Sequence, residues 1–154
     1  MLVAPHTSGW DFIYGSGARA WLGFGGKFLI KREFFKFPFK RMFIKMGGVP
    51  VDRTQNNSMV DAMIQYIKSN DRAIIVFPPE GTRKRVTKWK TGFYYAALGA
   101  DVPIVMAYLD YAEKKAGVGP SFVPSGDIQK DFIIIRDFYK NITPKIPEDF
   151  ALPE

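Results

Sequence analysis

The stretch Arg72-Ala73-Ile74-Ile75-Val76-Phe77-Pro78-Pro79-Glu80-Gly81-Thr82-Arg83 decides the fold. From Arg72 to Phe77 it reads as a continuous β-branched and apolar run, the pattern of a strand buried on both faces in a parallel sheet. Two prolines and a glycine then break the run, so a polar loop leaves the strand's carboxyl end. Working outward, helices and strands alternate. Upstream, Ser58 caps a helix to about Ser69. Downstream, a helix from about Thr91 to Leu98 leads into a strand from Pro103 to Leu109. This alternation predicts an α/β fold, with a largely parallel or mixed central sheet flanked by helices.

Nearer the N-terminus, Leu2-Val3-Ala4 reads as a short strand, Pro5-His6 as a turn and Trp10 to Leu22 as a helix. The supporting strand thus starts almost at Met1, the end at which a truncation would remove it or a membrane anchor. Lys27 to Lys31 reads as a second strand, and Phe37-Pro38 opens a helix to Lys45, with proline tolerated in its first turn. Gly47-Gly48 ends that helix, and Val49-Pro50-Val51 is a short strand. Gly117 to Pro124 reads as irregular or extended, and Asp127 opens a last helix. The final ten residues, rich in proline and acid, read as a loose tail. A single domain over residues 1–154 is expected, with no repeat or linker.

Composition narrows the function classes. With no cysteine, disulfides, thiolate metal sites and cysteine nucleophiles are excluded, and a reducing cytoplasm is the default. No signal peptide pattern and no apolar run of ~18 residues is present, so a peripheral or soluble chain is expected. The net charge of +7 favours an anionic partner. Nucleic acid is one such partner, yet no helix-turn-helix, zinc or RNA-recognition signature accompanies the charge. A non-catalytic basic nucleic-acid-binding domain is therefore the alternative from another class, and no nucleic acid is expected. One histidine among scattered carboxylates makes a poor ligand set, so no metal is expected either.

Candidate chemistry gathers in loops that follow strands, where α/β sheets place their ligands. His6, the sole histidine, follows the first strand, and Asp11 stands five positions later. An imidazole with a pKa near ~6.5 suits general-base work, and a carboxylate partner can fix its tautomer. Lys31 ends the second strand, Asp52-Arg53 follows the third, and Glu80-Gly81-Thr82-Arg83 follows the run above. Arg53, Arg83 and Lys31 are candidate phosphate ligands, since the planar guanidinium fork binds phosphate oxygens in pairs. Glu80, Gly81 and Thr82 are candidates for orienting the substrate, Gly81 by letting backbone approach closely.

These blocks resemble a family. His6-Thr7-Ser8-Gly9-Trp10-Asp11 matches the His-x-x-x-x-Asp motif of the glycerolipid acyltransferases, the 1-acylglycerol-3-phosphate (lysophosphatidic acid) acyltransferase type. Gly48-Val49-Pro50-Val51-Asp52-Arg53 is similar to the second block, Phe77 to Arg83 to the Pro-Glu-Gly-Thr-Arg block, and Val102-Pro103-Ile104-Val105 to the last. Four ordered matches are far more specific than any one of them. Pro50 and Met106 depart from the family pattern, near the expected acceptor pocket.

The resemblance implies a glycerol-3-phosphate acyltransferase-like fold and O-acyl transfer in phospholipid biosynthesis. The acyl group would come from a thioester on acyl carrier protein or coenzyme A and pass to a hydroxyl of a lysophospholipid. His6 would be the general base, oriented by Asp11, with no cofactor beyond the acyl-thioester co-substrate. Another lysolipid or an amino-acid lipid is the alternative acceptor within the family.

The stretch from Lys27 to Lys45 carries seven cations against Glu33, interleaved with phenylalanines. Phe34, Phe35, Lys36, Phe39 and Lys40 are its candidate membrane contacts, lying in an anionic headgroup region on the cytoplasmic membrane face. A second basic run, Arg83 to Lys90, suits the acidic surface of acyl carrier protein or the phosphates of coenzyme A.

Overall fold

The computed structural model describes residues 1–23, 25–31, 38, 40–45, 47–51 and 59–154, and of residues 28–31, 42, 43 and 51 it describes the backbone. Strand β1 (Leu2–Val3) lies between β4 (Val76–Phe77) and β5 (Ile104–Asp110), parallel to both, with Leu2 opposite Val76 and Val105. β6 (Lys115–Phe122) closes the far edge antiparallel to β5, giving the order β4-β1-β5-β6. The parallel pair β2 (Phe28–Lys31) and β3 (Gly48–Val51) meets this sheet through a bridge between Lys27 and Ile75. A mixed, open α/β sheet results, as the alternation predicts.

The two faces of the sheet do different work. On one, Val3, Ile104 and Met106 are fully buried among Phe93, Ala96 and Ala97 of α4 (Gly92–Ala100) and Ile135 of α5 (Ile128–Tyr139). Helix α3 (Met59–Lys68) seals the same core with Met63 and Ile67. Side chains alternate across a strand, so Leu2, Ala4 and Ala107 face the other way. There they line a cavity beneath α1 (Gly9–Trp21). Among the described residues α1 adds none of its side chains to the apolar core.

The structure sharpens one expectation and corrects another. Of the two readings of Gly117 to Pro124, the extended one holds as far as Phe122: β6 pairs along β5, and the ladder slips between Val105 and Ala107, opposite the segment that holds Gly119 and Pro120. A bulge at a sheet edge is where a proline without an N–H is tolerated. The final ten residues are not loose. A 3₁₀ turn (Pro147–Asp149) leads to Phe150, whose ring meets Trp89, and Trp89 Nε1 donates to the Ala151 carbonyl at 3.1 Å. Ala151 is buried, and Glu154 N–H donates to Thr87 at 3.0 Å. Met106 is buried in the core, next to Ala107 of the cavity floor. Helix α2 spans Lys40–Lys45 with Pro38 in a turn before it, and the predicted start at Phe37 lies outside the described residues.

Candidate functional site

Because β1, β4 and β5 run parallel, their carboxyl ends share one rim. His6 follows β1, Glu80 follows β4 and Tyr111 follows β5, so three distant segments converge there. His6 sits in the turn before α1. Its backbone N–H donates to both oxygens of Glu80, at 3.1 and 3.3 Å, and its Nδ1 lies 3.3 Å from Glu80 Oε2. The Glu80 side chain is 3% exposed and that of His6 28%, so the carboxylate is sealed behind a ring that remains open on one side. A carboxylate only accepts, so Nδ1 carries the proton in this pairing and Nε2 keeps a free lone pair.

Asp11 is engaged elsewhere. Its Oδ2 accepts from the backbone N–H of Thr7 and Ser8, each at 2.7 Å, and its Oδ1 accepts from the Tyr111 hydroxyl at 2.5 Å. Ser8 Oγ in turn accepts from the N–H of Trp10 at 3.2 Å, completing a capping box that starts α1. The structure thus brings Asp11 beside His6 in one cavity wall but gives the Nδ1 bond to Glu80. Burial and the bond to Asp11 push the Tyr111 hydroxyl well above the ordinary tyrosine range, so it stays a donor. Behind this layer, the Tyr139 hydroxyl bridges the carbonyls of Val3 and Ala107 at 3.0 and 2.9 Å. Burial, helped by the charge of Glu80, raises its pKa strongly.

Arg83 reaches the rim from the exposed loop after Glu80. Its Nη1 lies 3.3 Å from where a Cβ on Gly9 would be, so the guanidinium rests against the first residue of α1. Among the described residues no carboxylate pairs with it. Gly81 has φ of +67°, a conformation that favours glycine, and the Lys90 side chain covers it: a Cβ there would meet Nζ at 2.5 Å. Gly81 therefore meets the demand of the turn and leaves room for the Lys90 side chain. Thr82 is exposed, and its hydroxyl accepts from the Lys84 N–H at 3.3 Å. Lys31 ends β2, Lys40 is exposed at the start of α2, and Arg53, Phe34, Phe35, Lys36 and Phe39 lie outside the described residues.

A cavity of about 360 Å³ opens from His6 and Asp11 and runs beneath α1. Its α1 wall includes Gly15, Ala18 and Leu22, which with Asp11 follow one helical face, and its floor includes Leu2, Ala4, Val76, Ala107 and Leu109. Small residues on the helix leave the room, and the lining is largely apolar, with Ser16 and Arg19 among its polar members. A second, water-sized pocket of about 20 Å³ touches His6, Asp11, Tyr111, Tyr139 and Lys145. Lys145 Nζ stands 5.2 Å from the centroid of the Tyr111 ring. Among the described residues no group of three or more acidic or histidine side chains is arranged to hold a metal ion. Tyr111, Tyr139 and Lys145 escaped sequence reasoning. The strand-end rule that selects His6 and Glu80 would also have found Tyr111, directly after β5, whereas Lys145 carries no local signal.

Residues 1–109 match the family model described as Acyltransferase, a span that holds His6, Asp11, Glu80 and Arg83. The chain belongs to the acyltransferase family. It is also 35% identical over 85 residues to the 1-acyl-sn-glycerol-3-phosphate acyltransferase of Streptococcus pneumoniae (strain ATCC BAA-255 / R6), a match covering 51% of this chain and 30% of that relative. No solved structure matches the acyltransferase chain.

Proposed function

We propose that this acyltransferase moves a fatty acyl group from a thioester, on acyl carrier protein or coenzyme A, to a hydroxyl of a lysophospholipid, 1-acylglycerol-3-phosphate first. One observation carries the reading: an imidazole held at Nδ1 by a buried carboxylate stands at the mouth of an apolar cavity. The free Nε2 takes the proton of the acceptor hydroxyl as its oxygen attacks the thioester carbonyl. The tetrahedral intermediate collapses by breaking the C–S bond, and the thiolate leaves with the proton that the imidazolium returns. No acyl-enzyme forms, and the chemistry asks for no resident cofactor. General-base assistance of this kind is worth ~10²- to 10⁴-fold.

The apolar cavity suits the acyl chain, and Arg83 beside Gly9 suits the acceptor phosphate, with Arg53 and Lys31 as further candidates. The name of the pneumococcal relative supports 1-acylglycerol-3-phosphate over another lysolipid or an amino-acid lipid. Such substrates live in bilayers. No described helix is long and apolar enough to cross a membrane, which fits peripheral work at the cytoplasmic face. The test incubates the protein with a mixed acyl-thioester pool and a panel of lysolipids, then identifies products by mass. Acylated lysophosphatidic acid, lost in His6→Ala, is the expected result. Unchanged transfer by His6→Ala overturns the base assignment, and no acylated product from any lysolipid overturns the reading.

A further inference from the structure

Helix α1 has a second apolar face, turned away from the cavity. Trp10, Ile13, Tyr14 and Trp21 recur at i, i+3, i+4 and i+11, which gathers them into a stripe about 100° wide. They are 53%, 56%, 52% and 86% exposed. Large apolar groups rarely stand in water as a contiguous patch without a partner. Trp10 stacks on Tyr14 at 5.9 Å between centroids, and Tyr14 meets Tyr111 edge-on at 6.0 Å, so the patch is ordered.

Charge says what covers it. The only acid of α1 is Asp11, which is buried and hydrogen-bonded inward. Cations border the stripe: Arg83 at the first residue of α1 and Lys145 over the Tyr111 ring. Tryptophan and tyrosine beside lysine and arginine, with no exposed carboxylate on the helix itself, is the chemistry of a surface seated among anionic lipid headgroups. The opposite face of the same helix lines the cavity through Gly15, Ala18 and Leu22. Seating α1 on a bilayer would therefore bring the cavity close to where acyl chains reside.

We propose that the Trp10–Ile13–Tyr14–Trp21 face of α1 is the surface by which this chain docks on an anionic bilayer. The choice of lipid as occupant rests on the acyl-transfer reading, while the stripe and its charge border do not. Tryptophan fluorescence tests it directly, because Trp10 and Trp21 are exposed and Trp89 is only 3% exposed. Vesicles of phosphatidylcholine with phosphatidylglycerol should shift emission to the blue and allow quenching by brominated acyl chains, far more than pure phosphatidylcholine. The double variant Ile13→Ser, Trp21→Ser, both positions outside the cavity, should lower the vesicle partition coefficient by roughly tenfold or more. Transfer between detergent-dispersed substrates should stay at the parent rate.

Unshifted emission, or a variant that partitions like the parent, overturns the proposal. So does a parent dimer in light scattering that the variant loses, since a second copy then covers the stripe. Absence of transfer in detergent, with vesicle binding still lost in the variant, would sink the acyl-transfer reading and leave the docking surface standing.

Discussion

Replacing Glu80 with glutamine separates the two carboxylates that compete to be the partner of His6. Glutamine matches glutamate in size and keeps an oxygen to accept the His6 N–H, so the turn before α1 should survive and stability should change by less than ~1 kcal/mol. What disappears is the charge facing Nδ1. The amide can also turn its NH₂ toward Nδ1, which would put the ring proton on Nε2 and remove the base. A hydrogen bond to a charged group contributes ~1.5–3 kcal/mol. The Nδ1 to Oε2 separation of 3.3 Å exceeds the span of strong charge-assisted bonds, so the lower part of that range, about 1.5–2 kcal/mol, applies. At ~1.36 kcal/mol per factor of ten, kcat should fall roughly 10- to 30-fold. KM should hold, because Glu80 is sealed behind the ring.

Asp11→Asn should behave differently. Two backbone N–H donors and the Tyr111 hydroxyl depend on that carboxylate, and weakening an N-terminal cap costs ~1–2 kcal/mol of stability. Its main signature is then a lower urea midpoint, with a smaller loss of kcat than Glu80→Gln. The assay is thiol release from acyl-thioester at saturating lysolipid, run beside urea unfolding of both variants. Full kcat in Glu80→Gln would refute the pairing. A large kcat loss in Asp11→Asn at unchanged stability would return the orienting role to Asp11.

Three further outcomes follow from the same geometry. Gly15→Leu fills part of the cavity beneath α1, and each methylene that no longer fits forfeits ~0.8 kcal/mol, about fourfold in kcat/KM; competition between thioesters of different length should show preference moving to shorter chains. Arg83→Ala should raise KM about tenfold for a phosphate-bearing acceptor and leave a lysolipid without an exposed phosphate group unaffected, read from initial rates. Asp131 accepts from the Tyr94 hydroxyl, the Ser125 N–H and the Ser125 hydroxyl at 2.9, 2.7 and 2.9 Å. Burial opposes its ionisation, yet these donors and Lys130 together hold its pKa below the usual value. Its stabilising contribution is therefore whole above the unfolded carboxylate pKa near ~3.9 and fades as pH falls through the lower folded value. Asp131→Asn should cost ~1–3 kcal/mol at pH ~7, with the gap to the parent narrowing near pH ~3 in urea titrations.

Much of this was legible because the site obeys the rim rule. A buried strand ending in Phe77 and a short strand ending in Val3 fix His6 and Glu80 at the same sheet edge once both run parallel. The partner of His6 was not legible, since closeness in sequence favoured Asp11, five residues away, over Glu80, 74 away. Yet a local signal existed: Ser8 followed three residues later by an acid at a helix start is a capping box, which commits that acid to backbone N–H groups. β6 hid because Gly117, Gly119, Pro120 and Ser121 have poor strand propensity, and an edge position with a bulge lets such a segment pair anyway. The tail misled through its prolines and acids, while Phe150 and Ala151 were the residues that anchored it.

The residues beyond the matched family span bear on how chemistry and selectivity divide in this chain. His6, Glu80, Asp11 and Arg83 all fall within residues 1–109. Tyr111 and Tyr139, which brace Asp11 and tie β1 to β5, fall after it, as do Gly117 and Val118 of the cavity wall. Bracing by hydroxyls that burial keeps protonated holds the His6 turn in place. The cavity wall, in contrast, meets whatever chain lies beneath α1. Substitutions at Gly117 and Val118 should therefore change which acyl group is taken, whereas those at Tyr111 and Tyr139 should slow every substrate alike. His6 and Glu80 come from the part shared with the family, and the shape of the cavity beneath α1 comes in part from the hairpin that follows.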